Sequence, residues 1–407
     1  MKVLWITNIL FPAPSNVLGI SNTPFGGWML SSLNALRSLY SDVKFAVATV
    51  YSGNEYKIFD IGDVKYFLLP SSKDITTYDN SLEPIWMSVR SEFEPDVVHI
   101  HGTEFAPGLS YIKACGPENV CISIQGLVSV YARYYYASIS TKDIIKNITL
   151  RDILRFDTIF HQKRKFEKRG ELEIEYIKSV SHILGRTAWD KSQVWAINPE
   201  AKYHFCNETL RSVFYQHKWE YGKCDKHTIF ISQASYPIKG LHKVLEAMPF
   251  VLRYFPDARI KIAGHNIIDK PFWRISGYGK YVRSLIRKYS LEDKIEFLGT
   301  LSESEMCSAY LNSNVFVCPS SIENSPNSLG EAQLLGVPHL ASYVGGVSDM
   351  MIGYDSDLYR FEEVEMLAKK VCSIFQKSEF TYNNIAKDRY DSVLNAQKLY
   401  AIYESIV

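Results

Sequence analysis

Short runs of apolar residues alternate with longer amphipathic stretches along most of the chain. "KVLWIT" (2–7), "VKFAVATV" (43–50), "VVHIH" (97–101) and "VCISI" (120–124) lie in the first half. "TIFIS" (228–232), "ARIKIAG" (258–264), "KIEFLG" (294–299) and "VFVCPS" (315–320) lie in the second. These runs are short, nearly continuous and rich in Val, Ile and Phe, which predicts strands buried on both faces. Between them, "WMLSSLNALRSL" (28–39), "LHKVLEAMPFVLRYF" (241–255) and "EMLAKKVCSIFQK" (365–377) place apolar residues at helical spacing. Alternation of this kind predicts α/β architecture, with parallel sheets covered by helices.

The alternation lapses between about 130 and 180, in a helical stretch rich in Lys and Arg. It resumes with "HILGRT" (182–187) and "AKYHFCN" (201–207), and the polar "YQHKWEYGKCDKHT" (215–228) precedes a fresh strand. The boundary is therefore expected there. Residues 1–218 form one Rossmann-like domain, 219–385 a second, and a final helix at 386–407 returns to the first.

Composition narrows the class. The chain has 407 residues, 46% of them hydrophobic, enough for two cores. A formal charge of +1 lacks the basic footprint of a nucleic-acid binder. The seven cysteines are odd in number and include no Cys-x-x-Cys pair. Nothing points to a disulfide framework or a zinc site, and a reducing, cytoplasmic compartment is expected. "MKVLWITNILFP" reads as a first strand rather than a leader, and no apolar run reaches membrane-spanning length. The sequons at Asn147 and Asn207 then read as chance matches.

Four stretches carry candidate chemistry. "TPFGGWML" brings Gly26 and Gly27 to the start of a helix after the first strand, where backbone can approach an anion. A plain tight turn is the alternative, and the missing Gly-x-Gly-x-x-Gly disfavours a dinucleotide. "DVVHIHGTEF" ends a strand with His99 and His101 on one face, which suits packing or a polar contact better than a metal. "SQASYPIKGLHKVLEA" puts Lys239 at a helix start, where the helix dipole prefers an anion; a bound phosphate would reconcile the two. "SSIENSPNSLGEAQLLGVP" is the richest. Ser325-Pro326 reads as an N-cap followed by Pro at the first helical position, with Gly336 and Pro338 ending the helix. Glu323 then precedes the helix and Glu331 lies near its second turn, with first-turn N–H groups between them. That combination suits a phosphorylated sugar. The plainer alternative is a capped helix with an exposed Glu.

In order, Lys239-Gly240, Ala263-Gly264, Phe297-Leu298-Gly299, Pro319-Ser320, Glu323-x7-Glu331, Gly336-Val337-Pro338 and Gly345-Gly346 with Asp349 resemble the motif series of GT-B retaining glycosyltransferases of family 4. "FGGW" and "HIHG" resemble that family's N-terminal motifs. "GRTAWD" (185–190) and "HFCNETLR" (204–211) resemble features of bacterial members that build surface polysaccharides. The resemblance implies two Rossmann-like domains facing a central cleft. It implies a nucleotide-diphosphate sugar donor, a saccharide or lipid-linked saccharide acceptor, and retention without metal or other cofactor.

By that resemblance, Glu331 accepts ribose hydroxyls and Glu323 contacts the donor sugar. The backbone at Asn327, Ser328 and Leu329 meets sugar or phosphates. Lys239 stabilises the departing diphosphate, the base lies near Phe297 and Gly299, and Gly26 and Gly27 approach the diphosphate. His101, Gln125 and Arg186 are candidate sugar or acceptor contacts. Two positions depart from the pattern. The Arg that family members carry before the Lys is absent, with Gln233 in that stretch and Arg274 as a conceivable substitute. A strand-end His is replaced by Gln125, which cannot act as a base.

The basic stretch Lys163, Arg164, Lys165, Lys168 and Arg169 is diluted by Glu167, Glu171, Glu173 and Glu175. It reads as a solvated helix face, with peripheral contact to the inner membrane as the alternative. Other readings of the whole are a nucleotide-sugar epimerase or phosphorylase on the same fold, or a non-catalytic nucleotide-sugar binder.

Overall fold

A computed structural model describes residues 1–21, 26–380 and 385–407. Among them, one eight-stranded sheet contains β1 (Lys2–Thr7), β2 (Lys44–Tyr51), β3 (Lys57–Ile61), β4 (Val64–Pro70), β5 (Val97–His101), β6 (Val120–Ser123), β7 (His182–Gly185) and β8 (Lys202–Phe205). Their order is β3-β4-β2-β1-β5-β6-β7-β8. A six-stranded sheet contains β9 (Asp225–Ile231), β10 (Arg259–Ala263), β11 (Ile295–Gly299), β12 (Ser313–Cys318), β13 (His339–Ser342) and β14 (Leu358–Tyr359), in the order β11-β10-β9-β12-β13-β14. The ladders are parallel except β3/β4, a hairpin closed by Gly62-Asp63. The apolar-run reading passes over that hairpin, whose β3 alternates half-buried and exposed residues and is broken by Asp60, so it lacks a continuous run.

The chain divides into two compact units. The N-terminal unit comprises Met1–Ser129, Glu167–Leu210 and Tyr390–Val407; the C-terminal unit comprises Val130–Phe166 and Arg211–Arg389. This division differs from the expected one, 1–218 with the returning helix 386–407 against 219–385, chiefly in where 130–166 and 211–218 fall. Residues 130–166 pack with the C-terminal unit, tied by hydrogen bonds from Thr149 to the Ile275 carbonyl (3.0 Å) and from the Gly277 N–H to Asp152 (2.8 Å).

The core of the N-terminal unit forms around β1. Trp5 is fully buried and packs with Met29, Leu33 and Leu36 of the helix Gly27–Leu39, and with Leu399 and Tyr403 of the helix Ser392–Glu404. A buried polar chain runs through this core. Trp5 Nε1 donates to the Tyr403 hydroxyl (3.0 Å), which also meets His99 Nδ1 (2.6 Å), and His99 Nε2 meets Ser123 Oγ (2.6 Å). Burial holds the His99 pKa down at about 3, so the ring is neutral. In the C-terminal unit, Phe230, Tyr310 and Phe316 pack edge-on or tilted, 4.8–6.1 Å between centroids.

Tyr403→Phe leaves the Trp5 N–H and His99 Nδ1 buried without their shared partner. Urea unfolding is expected to show a loss of about 1–3 kcal/mol. An unchanged midpoint would mean that the hydroxyl holds nothing in place.

Candidate functional site

In the C-terminal sheet the chain starts at β9, moves outward to β10 and β11, then crosses back to place β12 on the other side of β9. The carboxyl ends of strands at such a reversal frame a crevice in which open parallel sheets bind ligands. β9 leads into the turn Pro237–Lys239 and the helix Leu241–Leu252; β12 leads through 319–326 into the helix Asn327–Leu335.

The two connections meet as an ion pair. Lys239 Nζ lies 2.5 Å from Glu323 Oε1, which also accepts from Ser320 Oγ at 2.8 Å. Backbone bonds stitch the loops together: Ser321 N–H to the Ile238 carbonyl (2.7 Å) and Gly346 N–H to the Glu323 carbonyl (3.0 Å). Two glycines make the approach possible. Gly240 has φ 71° and a Cβ there would lie 1.7 Å from the Pro319 carbonyl oxygen; Gly345 has φ 51° and a Cβ there would lie 1.9 Å from that of Glu323. Burial opposes the charge on Lys239, but the Glu323 carboxylate outweighs it and raises the lysine pKa above its ordinary value. The result is a fixed cation and a fixed hydroxyl acceptor at a strand reversal.

Glu331 is equally buried, at 5% exposure, so neither glutamate is an exposed helix-surface residue. Arg211 Nε and Nη2 both donate to Glu331 Oε1, at 2.8 and 2.6 Å. Burial pushes the Glu331 carboxyl up to about 7, and Arg211 pulls against that rise. The helix begins at Asn327, one residue later than expected. Pro326 is its N-cap and no side chain caps it, while Ser325 Oγ accepts from Arg389 at 3.4 Å. The Leu329 N–H is taken by the Pro326 carbonyl (3.0 Å), and the Ser328 carbonyl accepts from Tyr310 (2.8 Å). Phe297 and Gly299 lie in β11, two strands from β9. Arg274 is exposed in the turn 271–275 and has no ion pair with the glutamates among the described contacts.

The remaining candidates belong to the N-terminal unit. Gly26 is the N-cap of the helix that Gly27 begins; the preceding 22–25, including Phe25 of the "FGG" motif, lie outside the described residues. Gln125 Nε2 donates to Glu208 (2.7 Å), and Arg186 donates to Glu208 (2.6 Å) and to the Gln125 carbonyl (3.1 Å). His101 packs on Trp5 (4.3 Å) and His99 (3.9 Å), and burial lowers its pKa well below the ordinary value. His101, Arg186 and Glu208 line a cavity of about 20 Å³, room for one water. Among the described residues no group of three or more His, Cys, Asp or Glu is placed to hold a metal ion.

Several of these residues carry no local signal in the sequence. Arg211 pairs with a residue 120 positions away, and Tyr131 Oη accepts the Asn324 N–H (2.9 Å) from the segment where alternation lapses. Only the rule that a buried carboxylate needs a cation points to Arg211 in advance.

Residues 215–389 match the family described as Glycosyl transferases group 1. The chain is 30% identical over 280 residues to the sulfoquinovosyl transferase SQD2 of Arabidopsis thaliana, covering 67% of this chain and 47% of that protein. It spans less than half the length of the curated relatives it matches. Among solved structures, sucrose-phosphate synthase from Thermosynechococcus elongatus superposes with a TM-score of 0.67 at 12% identity, covering 100% of this chain and 99% of that one. Anabaena Alr3699/HepE in complex with UDP-glucose superposes with a TM-score of 0.60 at 16% identity, covering 100% of both chains. At these identities the likeness is one of fold, and the fold is GT-B.

The Glu331 shift sets a pH dependence. Its folded pKa, about 7, lies above the ordinary 4.5, so the native state keeps a proton that the unfolded chain has lost. Stability therefore falls as pH rises between those values. Glu173 contributes a similar slope, since burial raises it to about 7 as well, and the Glu331 part is read as a difference between variants. Glu331→Gln flattens the slope. Arg211→Met steepens it, with a loss of about 3–5 kcal/mol at pH 8 and a smaller one at pH 5. Equal losses at both pH values in urea unfolding would contradict the pairing.

Proposed function

We propose that this protein transfers a sugar from a nucleotide-diphosphate sugar to a saccharide or lipid-linked saccharide acceptor, with retention of anomeric configuration. The observation that carries this reading is the buried Lys239–Glu323 pair at the β9/β12 reversal, with Glu331 on the helix that follows. The donor diphosphate lies against Lys239 and the start of that helix, where the helix dipole favours an anion. Lys239 stabilises the charge that grows on the leaving diphosphate from a preset position. Glu323 accepts donor-sugar hydroxyls, and Glu331 accepts those of the ribose.

Ribose hydroxyls at Glu331 compete with Arg211 for the same carboxylate. Once released, Arg211 supplies the second cation that the stretch around Gln233 lacks. Gln125 is tied to Glu208 and has no basic nitrogen, so the acceptor proton passes to the leaving phosphate during same-face attack. No step calls on a metal. The resemblance of 185–190 and 204–211 to bacterial members that build surface polysaccharides supports a role in capsule, O-antigen or exopolysaccharide assembly at the cytoplasmic side of the inner membrane. Both stretches also have structural work, since Thr187 and Asp190 form a capping box and Arg186 pairs with Glu208.

A thermal-shift panel of UDP-, GDP- and ADP-sugars tests the donor site. One nucleotide series is expected to stabilise the protein, with no change on adding chelator and loss of the shift in Glu331→Ala. Stabilisation by none of them overturns the assignment. Once a donor is found, Lys239→Met is expected to lower kcat by about 100-fold or more with a much smaller change in KM. NMR of the product is expected to show the donor's anomeric configuration.

A further inference from the structure

The helix Leu150–Leu154 in the C-terminal unit is inside out. Its capping residues Thr149 and Asp152 are buried, at 7% and 1% exposure, and hold the turn against Ile275 and Gly277. Its apolar residues Leu150, Ile153 and Leu154 point outward, 57–70% exposed. Phe156 follows at 69% exposure and φ 49°, a conformation costly for a bulky residue. A glycine would relieve that φ, and little of the Phe156 ring is buried in return. On the other side of the Thr149–Ile275 bond, Phe272 and Trp273 are 75% and 58% exposed. Isolated exposed apolar residues are ordinary, but six gathered on two adjoining turns are not.

The charges around these residues are mostly positive. Lys146, Arg155, Lys270 and Arg274 flank them. Among the nearby acids, Asp157 is paired with Arg151 and Lys165, and Asp143 is bonded by Ser140; Asp269 also lies there. Aliphatic side chains, a Trp and two Phe set among basic residues fit the boundary between headgroups and acyl chains of an anionic bilayer. The basic stretch at 163–169 fits it less well, because Lys165 pairs with Asp157, Lys163 lies over the Tyr136 ring and Arg169 donates twice to the Glu104 carbonyl.

We propose that residues 145–156 together with 270–274 form a docking face for the surface of an anionic lipid bilayer. The proposal is independent of the transfer chemistry, and its test needs no turnover.

The full chain is sedimented with phosphatidylcholine vesicles with and without phosphatidylglycerol. Binding to the anionic vesicles is expected to be stronger and to weaken with salt. Arg155→Glu is expected to reduce it at least about fivefold. Leu154→Asp with Phe272→Asp is expected to abolish it, with circular dichroism confirming that the variant folds, while Tyr254→Ser, an exposed residue elsewhere in the same unit, changes nothing. Vesicles carrying brominated lipid are expected to quench Trp fluorescence, and Trp273→Phe, but not Trp195→Phe, to remove that quenching. Three results overturn the proposal: equal binding to neutral vesicles, binding that survives the double Asp variant, or a dimer in light scattering that the double variant dissociates.

Discussion

A lysine and a carboxylate share a buried position between the ends of β9 and β12, and the surrounding loops are shaped to keep them there. Neither charge is stable in such a place alone. Lys239 stays charged because Glu323 is 2.5 Å away, and Glu323 is held by Ser320 and by the backbone bond from Gly346. That requirement explains the glycines at 240 and 345, where any side chain would collide with a carbonyl of the neighbouring loop.

The same logic extends to the next helix. Glu331 is taken out of water and meets Arg211, whose segment opens the second stretch of the C-terminal unit. The site holds two carboxylates and two cations in fixed pairs. On the proposed function, a ligand rich in phosphate and hydroxyl groups replaces each internal partner with an equivalent one. In the N-terminal unit the polar residues are used differently. His99 belongs to a closed chain with Trp5, Tyr403 and Ser123, and Gln125 and Arg186 converge on Glu208. These bonds fix side chains at the ends of β5, β6 and β7.

The departures from the family pattern have a physical counterpart here. The stretch before Lys239 has no arginine, and the Arg211 guanidinium pairs with Glu331. The strand-end position holds a glutamine, and its amide is committed to Glu208. Both departures leave the charge beside Glu323 untouched.

The alternation of apolar runs and amphipathic helices by itself determined the α/β class, because buried parallel strands have to be continuously apolar. The Gly and Pro signals at 240, 336 and 338 and the spacing of Glu323 and Glu331 placed a helix start and its two carboxylates, since these are local properties of backbone and capping. The hairpin Lys57–Pro70 was hidden because β3 is only half-buried. Tertiary structure decided what local sequence cannot carry. It put 130–166 with the C-terminal unit, gave Glu331 its Arg211 and turned the helix at 150–154 outward. Each depends on partners far apart in the chain, and the burial of a polar residue is a property of what packs over it.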